Sequence, residues 1–243
     1  MIHTETVLPD ATSRGWTLRD AVAPGIAAVK KDWPPFLMIQ LMMAGLVFAY
    51  YRSAEVAQFA MKVGEWKVNG GLLFAFCAGA IAGGLIPEIA KFITRRTSKN
   101  WIADAAFNAF AYGIIAVEVD LFYQFQGSVF GTSTDIKTLA IKTAVDMGLF
   151  SPLLCMPTAV LLYEWRKLGF SFPALMKWAG SGVFALKVAQ AVLPGWAFWI
   201  PILFGVYAMP MALQFPVSVL AEAAWSILFV FIATKHGEEQ PGH

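Results

Sequence analysis

The chain has 243 residues, 58% of them hydrophobic and only 14% charged, with a formal net charge of +2 and a mean hydropathy of +0.61. A soluble domain carries about 45–50% apolar and about 25% charged residues, so this balance excludes one and points to a polytopic helical membrane protein. The apolar runs do not alternate, which excludes an outer-membrane barrel, and so small a charge gives no case for nucleic acid as a partner.

Residues 1–33 are expected as an N-terminal surface segment. Through residue 32 there is no apolar core, and four acids stand among four bases, so neither a signal peptide nor an Arg-rich, acid-free presequence is expected. Residues 14–32 read either as an amphipathic stretch lying on the membrane or as a frayed terminus.

Six apolar segments of spanning length follow, at 34–51, 70–93, 102–125, 137–163, roughly 177–207, and 211–233. The fifth contains Lys187, Pro194 and Pro201, which predicts an interfacial helix followed by a broken or re-entrant one. The expected fold is an all-α bundle of four to six transmembrane helices, one of them Pro-broken in the C-terminal third. Residues 34–51 would be an additional helix outside a bundle of 70–233, and 234–243 a disordered tail. Lys and Arg outside the segments divide twelve to four, which with six crossings puts both termini and the Lys91–Lys99 loop on the positive, cytoplasm-like side. The lipid bilayer is the first partner, and a bacterial or organellar inner membrane the expected location, the lack of a presequence leaning towards the bacterial one.

Ala75, Gly79 and Gly83 recur at four-residue spacing in the second segment, a pattern that lets two helix backbones approach closely, within the chain or between copies. Glu88 follows, placed to cap or pair near the interface. In the third segment Asp104, Asn108 and Glu118 share a helical stripe with Asp120 off it. They are either the wall of an aqueous path or, for Glu118 and Asp120, solvated acids at a helix end.

Lys142 and Asp146 lie four residues apart on one face of the fourth segment, and in hydrocarbon each needs a partner or a wet cavity. They are either an intrahelical ion pair or a pore-lining or gating pair, with Glu118 and Glu222 as further partners for Lys142. Pro152 and Pro157 should kink the same segment. Glu222 stands alone in the last segment, with Lys187 or Lys142 as the available bases, and Trp196, Phe198, Trp199 and Tyr207 suit an interfacial belt. Cys77 and Cys155 read as small buried hydrophobes. The three histidines are near the termini, and no serine-nucleophile motif or metal-ligand cluster is present, so neither catalytic residues, a metal nor a cofactor is expected.

Lys142 and Asp146, with Pro152 six residues on, resemble the Lys-xxx-Asp … Pro signature of the peroxisomal twenty-two-kilodalton membrane protein (Mpv-seventeen) family. Trp199, Ile200 and Pro201 resemble its Trp-Pro element, Met209-Pro210 its Val-Pro, and Phe122-Tyr123 its Trp-Tyr, with Gly113 at the preceding glycine and Trp225 at the late tryptophan. The resemblance covers about 70–233. The chain departs from the pattern at Met147, Gly205, Val206, Gln214 and Val230, where the family has Gln, Asn, Phe, Arg and Ser. The resemblance implies a four-span core and a weakly selective pore for small solutes, with no catalysis. The leading expectation is therefore a small-solute channel or channel-like protein, with a homo-oligomer as one form in which a usable pore would arise. The alternative is a non-conducting membrane scaffold or assembly subunit using Gly79, Gly83 and the aromatic belt as contact surfaces.

Overall fold

In the computed structural model the described residues are 33–238, and they form helices joined by short turns, with no strand among them. The N-terminal segment and residues 239–243 lie outside them. We number the helices α1 (Trp33–Arg52), α2 (Ala54–Ile93), α3 (Trp101–Phe130), α4 (Ile136–Lys167), α5 (Phe172–Ala179), α6 (Gly182–Tyr207) and α7 (Met211–Glu238). Helix α7 runs through Glu238, five residues into the stretch expected as a disordered tail.

Three helices, α2, α3 and α4, are each long and apolar enough to cross a membrane, and α6 makes a fourth if its two halves, Gly182–Leu193 and Gly195–Tyr207, count as one span across a 52° bend. That bend falls at Pro194, which cannot donate the backbone bond a straight helix needs there. Phe36–Arg52 and Met211–Ile227 are shorter apolar helices. The chain is membrane-embedded, and the many large apolar side chains on its outside, such as Leu73, Ile93 and Leu153, are those a bilayer would cover.

Local chemistry sets the boundaries. The Ser53 hydroxyl accepts from the Val56 N–H at the start of α2, and the Asp135 carboxylate accepts from the Lys137 and Thr138 N–H groups at the start of α4. Inside α2, Gly71 adopts φ 52°, ψ −135°, a conformation open to glycine, which separates the polar first half of α2 from its apolar second half.

Two of the spanning helices widen in mid-course. Ala80–Leu85 in α2 and Asp146–Cys155 in α4 are π-helical, with Ile86 N–H bonding Ile81 C=O and Met156 N–H bonding Ser151 C=O. Pro152 lies within the second π segment and Pro157 just beyond it, so the kink expected from these prolines takes the form of a widened turn. In the first, Ser226 of α7 donates to the Ala82 carbonyl at 3.1 Å.

The core sits between α6, α7 and their neighbours, around Phe198, Ile202, Leu203, Tyr207 and Phe215. Phe36, Phe198 and Trp225 form an aromatic cluster joining α1, α6 and α7. The expected belt is thus divided. Phe198 and Tyr207 are core residues, Trp199 packs against the core, and Trp196 is exposed. Their helix is buried by α1 and α7, neighbours that hydropathy along one segment does not reveal. Cys155 is buried as expected, whereas Cys77 is exposed on the outside of α2.

The small-residue stripe packs α2 against α3 within the chain. Ala75 is fully buried, a side chain at Gly79 would collide with Ala116, and the Tyr112 ring lies against Gly83. Gly84, absent from the predicted stripe, is as close: a Cβ there would stand 2.6 Å from the Ala109 backbone. The π turn brings this neighbour of Gly83 to the same interface.

Candidate functional site

Polar side chains gather along α3 and join it to α2, α4 and α6. Asp104 and Gln126 are twenty-two residues apart in this helix, so they are separated by about 33 Å at 1.5 Å per residue, the thickness of a bilayer's hydrocarbon core.

At the end where α2 finishes and α3 begins, Asp104 pairs with Arg166 of α4 and accepts from Ser98. Asn108 donates to Glu88 at 2.7 Å and accepts from the Tyr163 hydroxyl at 3.0 Å, while Lys91 closes on Glu88 at 2.6 Å. Glu164 holds Lys167 at 2.8 Å and Lys187 at 2.5 Å. Lys187, expected as a partner of Glu222, is therefore committed to Glu164. The link between Glu88 and Asn108 crosses from helix to helix, and spacing within one helix carries no signal of it.

At the opposite end lies a second group. Tyr207 donates to Asp146 Oδ2 at 2.5 Å and accepts from Gln126 Nε2 at 2.6 Å, and the same amide reaches the Lys142 carbonyl at 3.3 Å. Lys142, Asp146, Gln126 and Tyr207 are all buried. The Lys142 ammonium lies 5.7 Å from the centre of the Tyr207 ring, a cation–π placement. The expected intrahelical ion pair is not among the ion pairs of the described residues. The α-helix ends at Val145 and the π segment begins at Asp146, so the four-residue rule for side-chain neighbours fails at that junction. Tyr207, which sequence placed in a belt, takes the carboxylate instead.

Asp120 also departs from expectation. It is 1% exposed and forms an ion pair with Lys67 of α2 at 2.7 Å, with Gln124 donating to its other oxygen at 2.9 Å. The sequence put Lys67 in a loop and Asp120 at a wet helix end. The polar composition of the first half of α2 disguised a helix that folds back over α3. Glu118 accepts from Thr158 of α4 at 2.9 Å, and its second oxygen is buried without a hydrogen-bond partner, as are Gln126 Oε1 and Thr143 Oγ1.

Glu222 of α7 has no ion pair with Lys142 or Lys187. Among the described residues, no three His, Cys, Asp or Glu side chains come together as a metal ion would require.

Between Asn108 and Glu118 α3 is apolar and tightly fitted. Tyr112 lies against Gly83, Phe76 lies against Gly113, and Ala111 is fully buried. The first π segment packs against this stretch, and the second meets α3 further on, where the Phe150 ring stacks on that of Phe122 at 4.0 Å. The chain matches no known protein family, no curated protein and no solved structure.

Proposed function

We propose that this chain is a weakly selective small-solute channel whose path follows the polar side chains of α3. The observation that carries this reading is the placement of polar groups over about 33 Å of one helix, divided into two networks by the Tyr112 stretch. A merely structural helix in a bilayer gains little from so many buried polar groups, which are costly there and tend to mark solute pathways. Glu118, Gln126 and Thr143, with an oxygen each to spare, supply acceptors that a passing polar solute can use. In this conformation Tyr112 and Phe76 are the closed gate, and the two π turns are the places where α2 and α4 can move. The likeness to the Mpv-seventeen family points the same way.

In this reading α2, α3, α4 and α6 carry the path, and the chain crosses the membrane six times. Helix α6 meets Glu164 near one end of α4 through Lys187 and Asp146 near the other through Tyr207, which supports a full traverse. With α1 and α7 also crossing, both ends of the described chain share the side of the Lys91–Lys99 loop.

Sucrose release from proteoliposomes tests the reading. Wild type should leak slowly, Tyr112→Ala faster, and Lys142→Met/Asp146→Leu with altered selectivity. A Tyr112→Ala variant that folds and releases no more than empty liposomes refutes the channel.

A second reading, a membrane scaffold, draws on a groove of about 610 Å³ between α1 and α6, lined by Leu41, Met43, Val47, Phe48 and Phe204 among others. A helix of an assembly partner would fit such an apolar face. Gly79 and Gly83 no longer contribute to that reading, since both face α3 of the same chain.

A further inference from the structure

Exposed charge is divided unequally between the two ends of the bundle. At the end bearing the turns from α1 to α2 and α3 to α4, exposed Arg52, Lys62 and Lys137 are balanced by exposed Glu55, Glu65 and Asp135. At the other end, the segments 94–100 and 166–181 carry Arg95, Arg96, Lys99, Lys167 and Lys177, all exposed, and contain no acid at all. The acids that do lie nearby, Glu88, Asp104 and Glu164, are already engaged by Lys91, Arg166, Lys167 and Lys187.

The same end holds the two strained residues. Arg95 (φ 56°) and Phe170 (φ 60°) are the non-glycine residues of positive φ among the described residues. Each follows a helix end and sits beside a closing six-to-one bond, Arg96 N–H to Lys91 C=O at 2.8 Å and Phe170 N–H to Trp165 C=O at 2.8 Å. Glycine is the ordinary occupant of such a left-handed position. In one loop Gly169 (φ 63°) holds it, with Phe170 left-handed just after, whereas in the other Arg95 holds it and the strain is accepted for a guanidinium. Strain of this kind tends to persist where a side chain is needed at a defined place.

The two loops are held together. The Phe107 ring lies 6.1 Å from that of Phe170, Arg166 stacks over Phe107, and Arg166 pairs with Asp104. Helix α5 rests on the bundle through Leu175 and turns Phe172 and Met176 outward, with Lys177 beside them. Cations above a collar of exposed aromatic and aliphatic side chains match a bilayer surface, where rings sit at headgroup level and ammonium and guanidinium groups reach the phosphates.

We propose that this end of the protein binds the headgroups of anionic glycerophospholipids, with Arg95, Lys99 and Lys177 as phosphate contacts and Phe170 and Phe172 seated among the upper acyl chains. The sign of the charge selects the occupant: zwitterionic headgroups gain little from two loops that carry cations and no acid, and anionic ones gain from each cation. The surface is independent of whether the bundle conducts.

Native mass spectrometry of the full chain tests this, with phosphatidylglycerol and phosphatidylcholine of identical acyl chains offered in equal amounts. Wild type should retain phosphatidylglycerol in preference. In Arg95→Gly/Lys99→Gln/Lys177→Gln the preference should fall, each cation contributing about fivefold in affinity. Thermal unfolding in phosphatidylcholine guards against a folding defect, since glycine relieves the strain at position 95 and the triple variant should be no less stable there. Lys62→Gln/Lys137→Gln at the other end should leave the preference intact. The proposal is overturned if wild type shows no preference, if the triple variant keeps it, or if the two variants lose it equally.

Discussion

Lys67 Nζ stands 2.7 Å from Asp120 Oδ1, and this ion pair joins α2 to α3 with the carboxylate almost wholly buried. Lys67→Met should destabilise the protein by about 3–5 kcal/mol, because it leaves an unpaired charge inside. Replacing both partners, Lys67→Met/Asp120→Leu, should cost distinctly less. Thermal unfolding in one detergent compares them, and equal costs would show that the two charges are not coupled.

Tyr207 is the hub of the second polar network, donating to Asp146 and accepting from Gln126. Tyr207→Phe keeps the ring, and with it the Lys142 cation–π placement, and removes only the hydroxyl. It should cost about 1–3 kcal/mol, the penalty of stranding buried polar groups. If Tyr207→Phe unfolds with wild type, the network contributes no net stability.

The glycines of α2 make a sharper test of packing than of charge. Gly84→Ala must push against the Ala109 backbone and should cost about 1–3 kcal/mol or more. Gly45→Ala in α1 meets open space and should stabilise by roughly 0.5–1 kcal/mol through helix propensity. Melting temperatures of the two variants should move in opposite directions.

Asp135 caps α4 from outside the bundle. Hydrogen bonds from Ser133 and Thr138, with the Lys137 N–H, hold its carboxyl well below the usual carboxylate range. Because the folded value is depressed, the stabilisation is complete above the unfolded value of about 3.9 and is lost as pH falls through the folded one. Helicity followed by circular dichroism should therefore respond alike in wild type and Asp135→Ala between neutral pH and about pH 4. Below that the wild type alone should lose this increment.

Composition and segment length made the helical, membrane-embedded class legible, and the Ala75, Gly79, Gly83 stripe marked a real close approach. What spacing could not deliver was partnership. Lys142 and Asp146 obey the four-residue rule in sequence, yet a π turn begins between them and Tyr207, sixty-one residues on, takes the carboxylate. Lys67 looked like loop charge because its neighbours are polar, and only the fold back over α3 brings it to Asp120. Glu164 and Lys187 likewise meet across two helices. Buried polar groups choose partners in space, and a single chain's periodicity reports only one helix at a time.

The widened turns also say how this protein should respond to changes in length. A π turn holds one more residue than the α turn it replaces. Deleting a residue from 80–85 or from 146–155 would let the helix close to α geometry without shortening the span appreciably. Every side chain beyond the deletion would keep both its depth and its face, and only contacts made within the widened turn, such as that of Ser226 with the Ala82 carbonyl, would be disturbed. The chain thus carries two built-in places where its sequence can be shortened by a residue while the packing on either side is kept.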